Sequence, residues 1–324
     1  LAVSLLAACG QENTIGEANA AASQDDGKLR IVTTIFPEYD WVREILGDQA
    51  DRADLTMLLD NGVDLHSYQP TADDIAKIAD CDLFLYVGGE SDEWVDDALK
   101  ESTNPNQKVI NLMDVLSDEI KEEEPVEGME AEEEEPISAE DEEEGPEYDE
   151  HVWLSLRNTE TLCTAITNAL GELDPDHKDV YTANASTYLQ KLDQLDQSYQ
   201  QTVDSAARKT VLFGDRFPFR YLVDDYGLTY YAAFAGCSAE SEASFETVSF
   251  LAKKVDELAL PCVLTIEGTQ HKIAETIVQN TKKKDQKVLT MDSMQATTSD
   301  DVKAGTTYLS VMEKNLSVLN EALN

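Results

Sequence analysis

Two similar series of alternating strand and helix patterns, separated by one unusually long helical stretch, constrain the fold of this chain more than any other feature. Each series opens with an apolar, β-branched run typical of a buried strand, LRIVTTIF (29–36) in the first and TVLFGD (210–215) in the second. Alternation of such strands with helices favours a parallel sheet with helical crossovers. Between the series, residues 176–207 carry aromatic and apolar residues near helical spacing, and about 30 residues at ~1.5 Å each predict a rod of roughly 45 Å.

We therefore predict an α/β protein of two similar lobes with parallel-rich sheets, joined by one long rigid helix, with a ligand cleft between the lobes. The length of 324 residues suits two domains of ordinary size. The predicted boundaries are 1–27 for an export-signal remnant and tether, 28–175 for the N-terminal lobe, 176–208 for the linker helix and 209–324 for the C-terminal lobe. Within the first lobe, Thr71 is predicted to cap a helix over 71–80.

Residues 118–150 interrupt the first series. Nineteen of them are Asp or Glu, Lys121 is the only basic residue, and no apolar periodicity remains. We predict a disordered acidic loop, which is either a solvated insert or a weak, multivalent trap for cations. The whole chain has a formal net charge of −42, which excludes nucleic acid as a partner because phosphate would repel it.

The first ten residues, LAVSLLAACG, form an apolar run that ends in Leu-Ala-Ala-Cys. This pattern is typical of the end of a secretory signal, and cleavage there would leave Cys9 as the N-terminal residue that receives the lipid of a bacterial lipoprotein. The alternative is a fragment of a cytosolic helix. We expect an exported protein, anchored to the outer face of the bacterial cell membrane. The remaining cysteines form two disulfides, with three possible pairings, or are buried free thiols: Cys81, Cys163, Cys237 and Cys262.

Polar side chains stand where the predicted strands end or shortly after. Open α/β sheets bind ligands at the carboxyl ends of their strands, so these side chains are expected to face the cleft. Two imidazoles with one or two carboxylates are a donor set suited to Zn²⁺ or, with more oxygen, to Mn²⁺. The candidates are His66, His151, Asp215, Glu267 and Asp292. By contrast, His177 in the linker helix and His271 at a helix start are interpreted as surface residues.

Two histidine motifs resemble those of a known family. The segment GVDLHSYQPTADDIAKIADCDLFLYVG is similar to GVDPHSYEPTPSD in solute-binding lipoproteins of zinc and manganese ABC transporters, and EYDEHVWLSLRN is similar to their DPHVWLDPRN. The resemblance runs from about Lys28 to the C-terminus, apart from the acidic loop. It implies a monomeric protein, not an enzyme, that captures a divalent metal ion, Zn²⁺ first and Mn²⁺ next, and delivers it to an ABC permease.

The resemblance also implies a set of metal ligands. Two family histidines fall on His66 and His151, and the C-terminal aspartate of the family falls on Asp292. The position of a third ligand, His or Glu in the family, falls on Arg216, whose guanidinium stays protonated and cannot bind a metal ion. Asp215 is the predicted replacement and Glu267 the second choice.

Arg216 itself is predicted to form an ion pair outside the ligand shell, with Glu240, Glu242 or Asp292 as partner. Three other functions remain open at this point. The first is a metallohydrolase with Glu267 as general base, although the sequence contains no HExxH pattern. The second is a cell-surface adhesin of the same fold, and the third is a binding protein that has lost its metal ion, with Arg216 filling the site.

Overall fold

The computed structural model describes residues 27–130, 147–238, 242–268 and 271–324. Cys9, the 1–26 part of the predicted tether, Glu240 and the middle of the acidic segment lie outside these residues. Two four-stranded sheets, each entirely parallel, form the centres of two lobes. Each sheet has helices on its faces, as the strand–helix alternation predicts. The described residues include no helix that is long and apolar enough to cross a membrane.

The N-terminal lobe has the strand order β2-β1-β3-β4. Its strands are Leu29–Thr33 (β1), Ala53–Met57 (β2), Leu83–Tyr86 (β3) and Lys108–Asn111 (β4). Its helices are Phe36–Leu46 (α1), Ala72–Asp80 (α2), Val95–Lys100 (α3), Leu112–Leu116 (α4) and Leu156–Leu173 (α5). The predicted cap of α2 is confirmed, because the side chain of Thr71 accepts a hydrogen bond from the backbone N–H of Asp74.

The C-terminal lobe repeats this topology with the order β6-β5-β7-β8. Its strands are Thr210–Arg216 (β5), Thr229–Phe234 (β6), Cys262–Thr265 (β7) and Lys287–Thr290 (β8). Its helices are Arg220–Asp225 (α7), Phe245–Leu258 (α8), Lys272–Asn280 (α9), Ser299–Lys303 (α10) and Tyr308–Leu323 (α11). The two lobes are therefore similar in order and direction of strands, as predicted.

One long helix, Lys178–Ser205 (α6), joins the lobes and packs against both. Its 28 residues correspond to about 42 Å at ~1.5 Å per residue. Near its start, the Asn184 amide donates to the carbonyl of Ile45 in α1, and near its end the Tyr199 hydroxyl donates to the carbonyl of Met312 in α11. The predicted rigid linker is confirmed, and it fixes the two lobes through contacts at both ends.

The lobes also meet directly beneath the cleft. The indole of Trp153, which is fully buried, donates a hydrogen bond of 2.8 Å to the carbonyl of Ser293. The buried hydroxyl of Tyr308 donates to the carbonyl of Trp153, and the backbone N–H of Tyr308 donates to the carboxylate of Asp40. A continuous apolar core contains residues from both lobes, so the floor of the cleft is a packed unit.

The prediction of disorder throughout 118–150 is wrong at both ends of that segment. Residues 118–130 and 147–150 have defined contacts, while 131–146 lie outside the described residues. A bridge joins Glu122 to Tyr148, and Lys121 pairs with Asp224 of the other lobe at 2.7 Å. The backbone N–H of Glu130 donates to the carbonyl of Ala233. The acidic composition predicts disorder for residues 118–130 and 147–150. Backbone pairing between these two stretches and their contacts with the C-terminal lobe give them defined positions instead.

The four cysteines that the structure describes are free thiols. Cys81, Cys163 and Cys262 are buried, which agrees with the interpretation as core residues. Cys237 is only half-buried and follows strand β6 at the cleft.

Candidate metal centre

His66 is held at the cleft by a short 3₁₀ turn, Leu65–Ser67, that follows strand β2. The side chain of Asp64 accepts a hydrogen bond of 3.1 Å from the backbone N–H of His66 and so caps this turn. The imidazole Nδ1 lies 2.8 Å from the Ser91 hydroxyl and 3.3 Å from Oε2 of Glu150. Because the Glu150 carboxylate only accepts, this environment favours a hydrogen on Nδ1 and leaves the lone pair on Nε2.

His151 enters the cleft from the N-terminal end of a second 3₁₀ turn, Val152–Leu154, and is fully buried. Oδ1 of Asp149 accepts from its backbone N–H at 2.8 Å and lies 2.9 Å from its ring Nδ1. Burial lowers the pKa of His151, but the Asp149 carboxylate outweighs burial and the net pKa is raised. The ring hydrogen faces Asp149, so Nε2 again carries the free lone pair.

The two histidines present these lone pairs to each other. Nε2 of His66 lies 3.3 Å from Nε2 of His151, and the rings are tilted by 55°. Two acceptors at this distance repel unless a proton or a cation lies between them. In a tetrahedral zinc site with Zn–N bonds of about 2.05 Å, two nitrogens are about 3.3 Å apart. The observed separation therefore matches that of two ligands of one Zn²⁺ ion.

Cys237 completes a group of three donor residues. One ligand atom from each of His66, His151 and Cys237 lies within 4.8 Å of the others. Burial, together with the carboxylates of Asp149, Glu123 and Glu150, raises the pKa of the Cys237 thiol. Within the described part of the chain, this is the only group of three or more His, Cys, Asp or Glu side chains arranged to hold one ion.

A cavity of about 270 Å³ adjoins the donor group and is also lined by residues from both ordered ends of the acidic segment, 118–130 and 147–150. Carboxylates predominate in its wall, so its field attracts cations. The lining residues are His66, Glu90, Ser91, Glu123, Glu147, Tyr148, Glu150 and Cys237.

The predicted carboxylate ligands Asp215 and Asp292 are not members of the group of donor atoms that lie within 4.8 Å of one another. Asp215 turns back to its own lobe, where it accepts from the backbone N–H groups of Arg216 and Ile266. Asp292 accepts from the N–H of Met294 in its own turn, and burial with repulsion from Glu267 raises the pKa of Asp292 to about 6. Both carboxylates therefore accept hydrogen bonds from backbone groups of the C-terminal lobe.

Glu267, the second choice for the third ligand, is also engaged elsewhere. Its carboxylate accepts from the backbone N–H groups of Ser293 and Gln295 and from the Ser293 hydroxyl, at 2.6 to 3.1 Å. It therefore shapes the loop after strand β8 and does not contact the donor group.

Arg216 forms an ion pair, but with a partner that the sequence did not suggest. Its Nη2 donates to Oδ2 of Asp64 at 2.5 Å, and Nη1 donates to the carbonyl of Ser238 at 3.5 Å. Asp64 belongs to the N-terminal lobe and Arg216 to the C-terminal lobe, so this pair crosses the cleft beside His66. The carboxylate neutralises a cation that would otherwise repel a bound metal ion.

The other two histidines are not members of the donor group, but both are half-buried, whereas the sequence predicts exposed surface residues. Nδ1 of His177 is 2.9 Å from both carboxylate oxygens of Asp174 at the start of the linker helix. His271 precedes helix α9.

Sequence reasoning missed three residues of the centre, namely Asp149, Glu150 and Cys237. Asp149 and Glu150 stand directly before His151, but the acidic composition places both in the predicted disordered loop. Each is only 2% exposed. The sequence predicts Cys237 as a disulfide partner or a buried thiol, although its place just after strand β6 follows the same strand-end rule as the candidates.

Comparison with known proteins points to one family. A sequence model of the zinc-uptake complex component A family of periplasmic proteins, ZnuA, matches residues 31–322. The high-affinity zinc uptake system protein ZnuA of Bacillus subtilis (strain 168) is 30% identical over 319 residues, 98% of this chain and 94% of that protein. The zinc-binding lipoprotein AdcA of Streptococcus pneumoniae (strain ATCC BAA-255 / R6) is 32% identical over 299 residues, 92% of this chain. The match spans only 56% of AdcA, so the chain covers about half the length of that relative.

Solved structures give the same fold. The Zn(II)-bound ZnuA-like domain of Streptococcus pneumoniae AdcA matches with a TM-score of 0.70 at 29% identity, over 92% of this chain and 99% of that domain. The laminin binding protein Lmb of Streptococcus agalactiae, described as a bifunctional protein with adhesin and metal transporting activity, matches with a TM-score of 0.72 at 26% identity. That match covers 92% of this chain and 100% of Lmb.

Proposed function

This chain belongs to the zinc-uptake complex component A family of periplasmic proteins, and from that premise we propose that it captures a divalent metal ion and delivers it to the permease of an ABC transporter. The proposed ion is Zn²⁺ in preference to Mn²⁺, and the proposed ligands include His66 and His151. Its role is capture and delivery, without a chemical reaction.

The observation that carries this proposal is the pair of imidazole Nε2 atoms, 3.3 Å apart. The opposite ring nitrogen lies 2.9 Å from the Asp149 carboxylate in His151 and 3.3 Å from the Glu150 carboxylate in His66. Carboxylates behind metal-bound histidines fix the ring orientation and increase the basicity of the coordinating nitrogen. Asp149 and Glu150 stand in these positions. The names of the relatives, zinc-binding lipoprotein and zinc uptake system protein, support zinc as the ion.

We further propose that the protein works outside the cytoplasm as a monomer, held at the outer face of the membrane by lipid on Cys9. The motif LAVSLLAACG supports this anchor, because a cysteine in that position is where bacterial lipoproteins are modified. Mass spectrometry of the native protein from its membrane fraction tests the anchor, and an unmodified Cys9 would contradict it.

Equilibrium dialysis against Zn²⁺ and Mn²⁺, followed by metal analysis, tests metal capture. The parent protein is expected to retain one equivalent of Zn²⁺, and a His66→Ala, His151→Ala double variant to lose it, together with the thermal stabilisation that the ion confers. His177→Ala, a histidine outside the donor group, serves as the matched control and should bind like the parent. A double variant that still binds one equivalent tightly would overturn the assignment.

Delivery to a permease is tested separately, in cells that lack their own copy of this protein. Restoring the parent chain should restore zinc uptake, whereas the double histidine variant, produced at the same level, should not. Uptake that is equal with both chains would show that these histidines are not needed for transport.

A further inference from the structure

We propose that the thiolate of Cys237 is the third donor to the metal ion, so that the centre is formed by two imidazole nitrogens and one sulfur. This inference rests on the proposed function, because it concerns the same ion. It replaces the expectation of a carboxylate at the third position and names the residue that determines the selectivity of the centre.

The geometry of Cys237 suits this role. Its Sγ lies within 4.8 Å of a ring nitrogen of each histidine. With a Zn–S bond of about 2.3 Å and a Zn–N bond of about 2.05 Å, sulfur and nitrogen in a tetrahedral site are about 3.6 Å apart. The distance from Sγ to a ring nitrogen of each histidine therefore exceeds this separation by no more than about 1.2 Å, whereas Asp215 and Asp292 would first have to break hydrogen bonds within their own lobe.

The loop that carries Cys237 is fixed directly against the donor histidine. A Cβ at Gly236 would lie 3.2 Å from Cε1 and Nδ1 of His151 and 2.9 Å from the carbonyl oxygen of Phe217. Only a residue without a side chain fits this space, so the backbone of the loop passes against the imidazole ring. The backbone N–H of Cys237 donates to Oε1 of Glu123 at 2.9 Å, and Arg216 holds the next carbonyl, that of Ser238.

A thiolate determines which ion the centre prefers. Soft sulfur ligands favour Zn²⁺, whereas Mn²⁺ is found with oxygen ligands. When the ion binds, the thiol gives up its proton to solvent and sulfur donates an electron pair to the metal. Three protein donors leave one position of a tetrahedral site for water. The centre therefore selects zinc through Cys237 and not through a carboxylate.

Cobalt is the probe that detects sulfur ligation, because a Co²⁺–thiolate bond gives an intense charge-transfer absorption that nitrogen and oxygen ligands do not give. The parent protein loaded with Co²⁺ should show this absorption, and Zn²⁺ should remove it by displacement. Cys237→Ser should lose the absorption and should bind Zn²⁺ at least about 10- to 100-fold more weakly, the loss typical of groups that only orient a ligand. Its affinity for Mn²⁺ should change much less.

Cys262→Ser is the matched control, because Cys262 begins strand β7 and so lies at the end of the sheet away from the cleft. This variant should keep the absorption and the zinc affinity of the parent. Should Cys237→Ser not fold, X-ray absorption at the zinc edge of the parent protein gives a second measurement. One sulfur neighbour about 2.3 Å from the metal ion is expected.

The outcomes separate the two proposals. A parent protein that binds neither Co²⁺ nor Zn²⁺ would refute the proposed function itself. A parent protein that binds Zn²⁺ through His66 and His151, but shows neither the cobalt–thiolate absorption nor a sulfur neighbour of the bound metal ion, would leave the function standing and refute the third donor.

Discussion

Asp149 offers the sharpest test of how His151 is positioned, because one carboxylate oxygen of Asp149 contacts both the backbone N–H and the ring Nδ1 of His151. Oδ1 accepts from the backbone N–H at 2.8 Å and contacts ring Nδ1 at 2.9 Å, in a site where Asp149 is 2% exposed. Asp149→Ala leaves two buried donors without a partner, at about 1–3 kcal/mol each, so the free energy of unfolding should fall by roughly 2–6 kcal/mol. Asp149→Asn keeps an acceptor oxygen and should cost much less.

Metal affinity should respond differently from stability. In Asp149→Asn the ring keeps a neutral partner but loses the negative charge that increases the basicity of Nε2, so zinc affinity should fall about 10- to 100-fold. That change equals about 1.4–2.7 kcal/mol of binding free energy. The backbone of Asp149 stays in place because its carbonyl accepts from the Tyr221 hydroxyl at 2.7 Å and its N–H donates to the carbonyl of Lys121.

Competition with a chromophoric zinc chelator measures the affinity, and urea denaturation of the metal-free protein measures the stability. Asp285→Asn, the same change at an exposed carboxylate before strand β8, is the control and should match the parent in both assays. If Asp149→Asn folds like the parent and also binds zinc with the same affinity, then Asp149 does not act through His151 and the reasoning fails.

Three further predictions address the loop, the core and the cleft. Gly236→Ala places a Cβ 3.2 Å from the His151 ring and should weaken zinc binding at least about tenfold by chelator competition, since displaced ligands bind poorly; unchanged affinity would show that the loop can yield. Burial raises the pKa of Glu38 to about 8 from an ordinary 4.5, so the stability from its protonated form is complete below pH 4.5 and is lost as pH rises through 8. Relative to Glu38→Gln, the parent should lose up to about 3 kcal/mol of unfolding free energy between pH 5 and 8 in urea titrations; parallel pH profiles would contradict this. Arg216→Gln removes the half-buried pair with Asp64 and should lower the unfolding free energy by about 1.5–3 kcal/mol in the same titrations, and no change would show that the pair contributes nothing.

Much of the fold follows from local periodicity, and the errors occur where one pattern runs into the next. The apolar run 29–36 predicts a single strand, but strand β1 ends at Thr33 and helix α1 begins at Phe36. Ile35 and Phe36 are buried in both interpretations, so hydrophobicity alone does not show where the strand ends. The long linker helix was predictable because its apolar residues recur at helical spacing without a break.

The candidate centre was predictable only where a motif or a strand end marked it. His66 and His151 were found from their sequence context, and the structure brings them together. Cys237 and Glu150 approach the histidines through contacts between distant segments, which local composition does not reveal. Asp149 contacts His151 only two residues away, but it stands in a segment whose acidic composition predicts a loop. The number of acidic residues predicts a solvated loop, whereas Asp149 and Glu150 are buried, each with a carboxylate oxygen within 3.3 Å of a histidine ring nitrogen.

We propose that His66 and His151 bind one zinc ion in the cleft between the lobes. A crystal structure of the zinc-loaded protein, with anomalous diffraction recorded on both sides of the zinc absorption edge, tests it most directly. We predict a single strong anomalous peak about 2.0–2.1 Å from Nε2 of both histidines. A peak at Asp215, Asp292 or Glu267, away from either histidine, would contradict the claim.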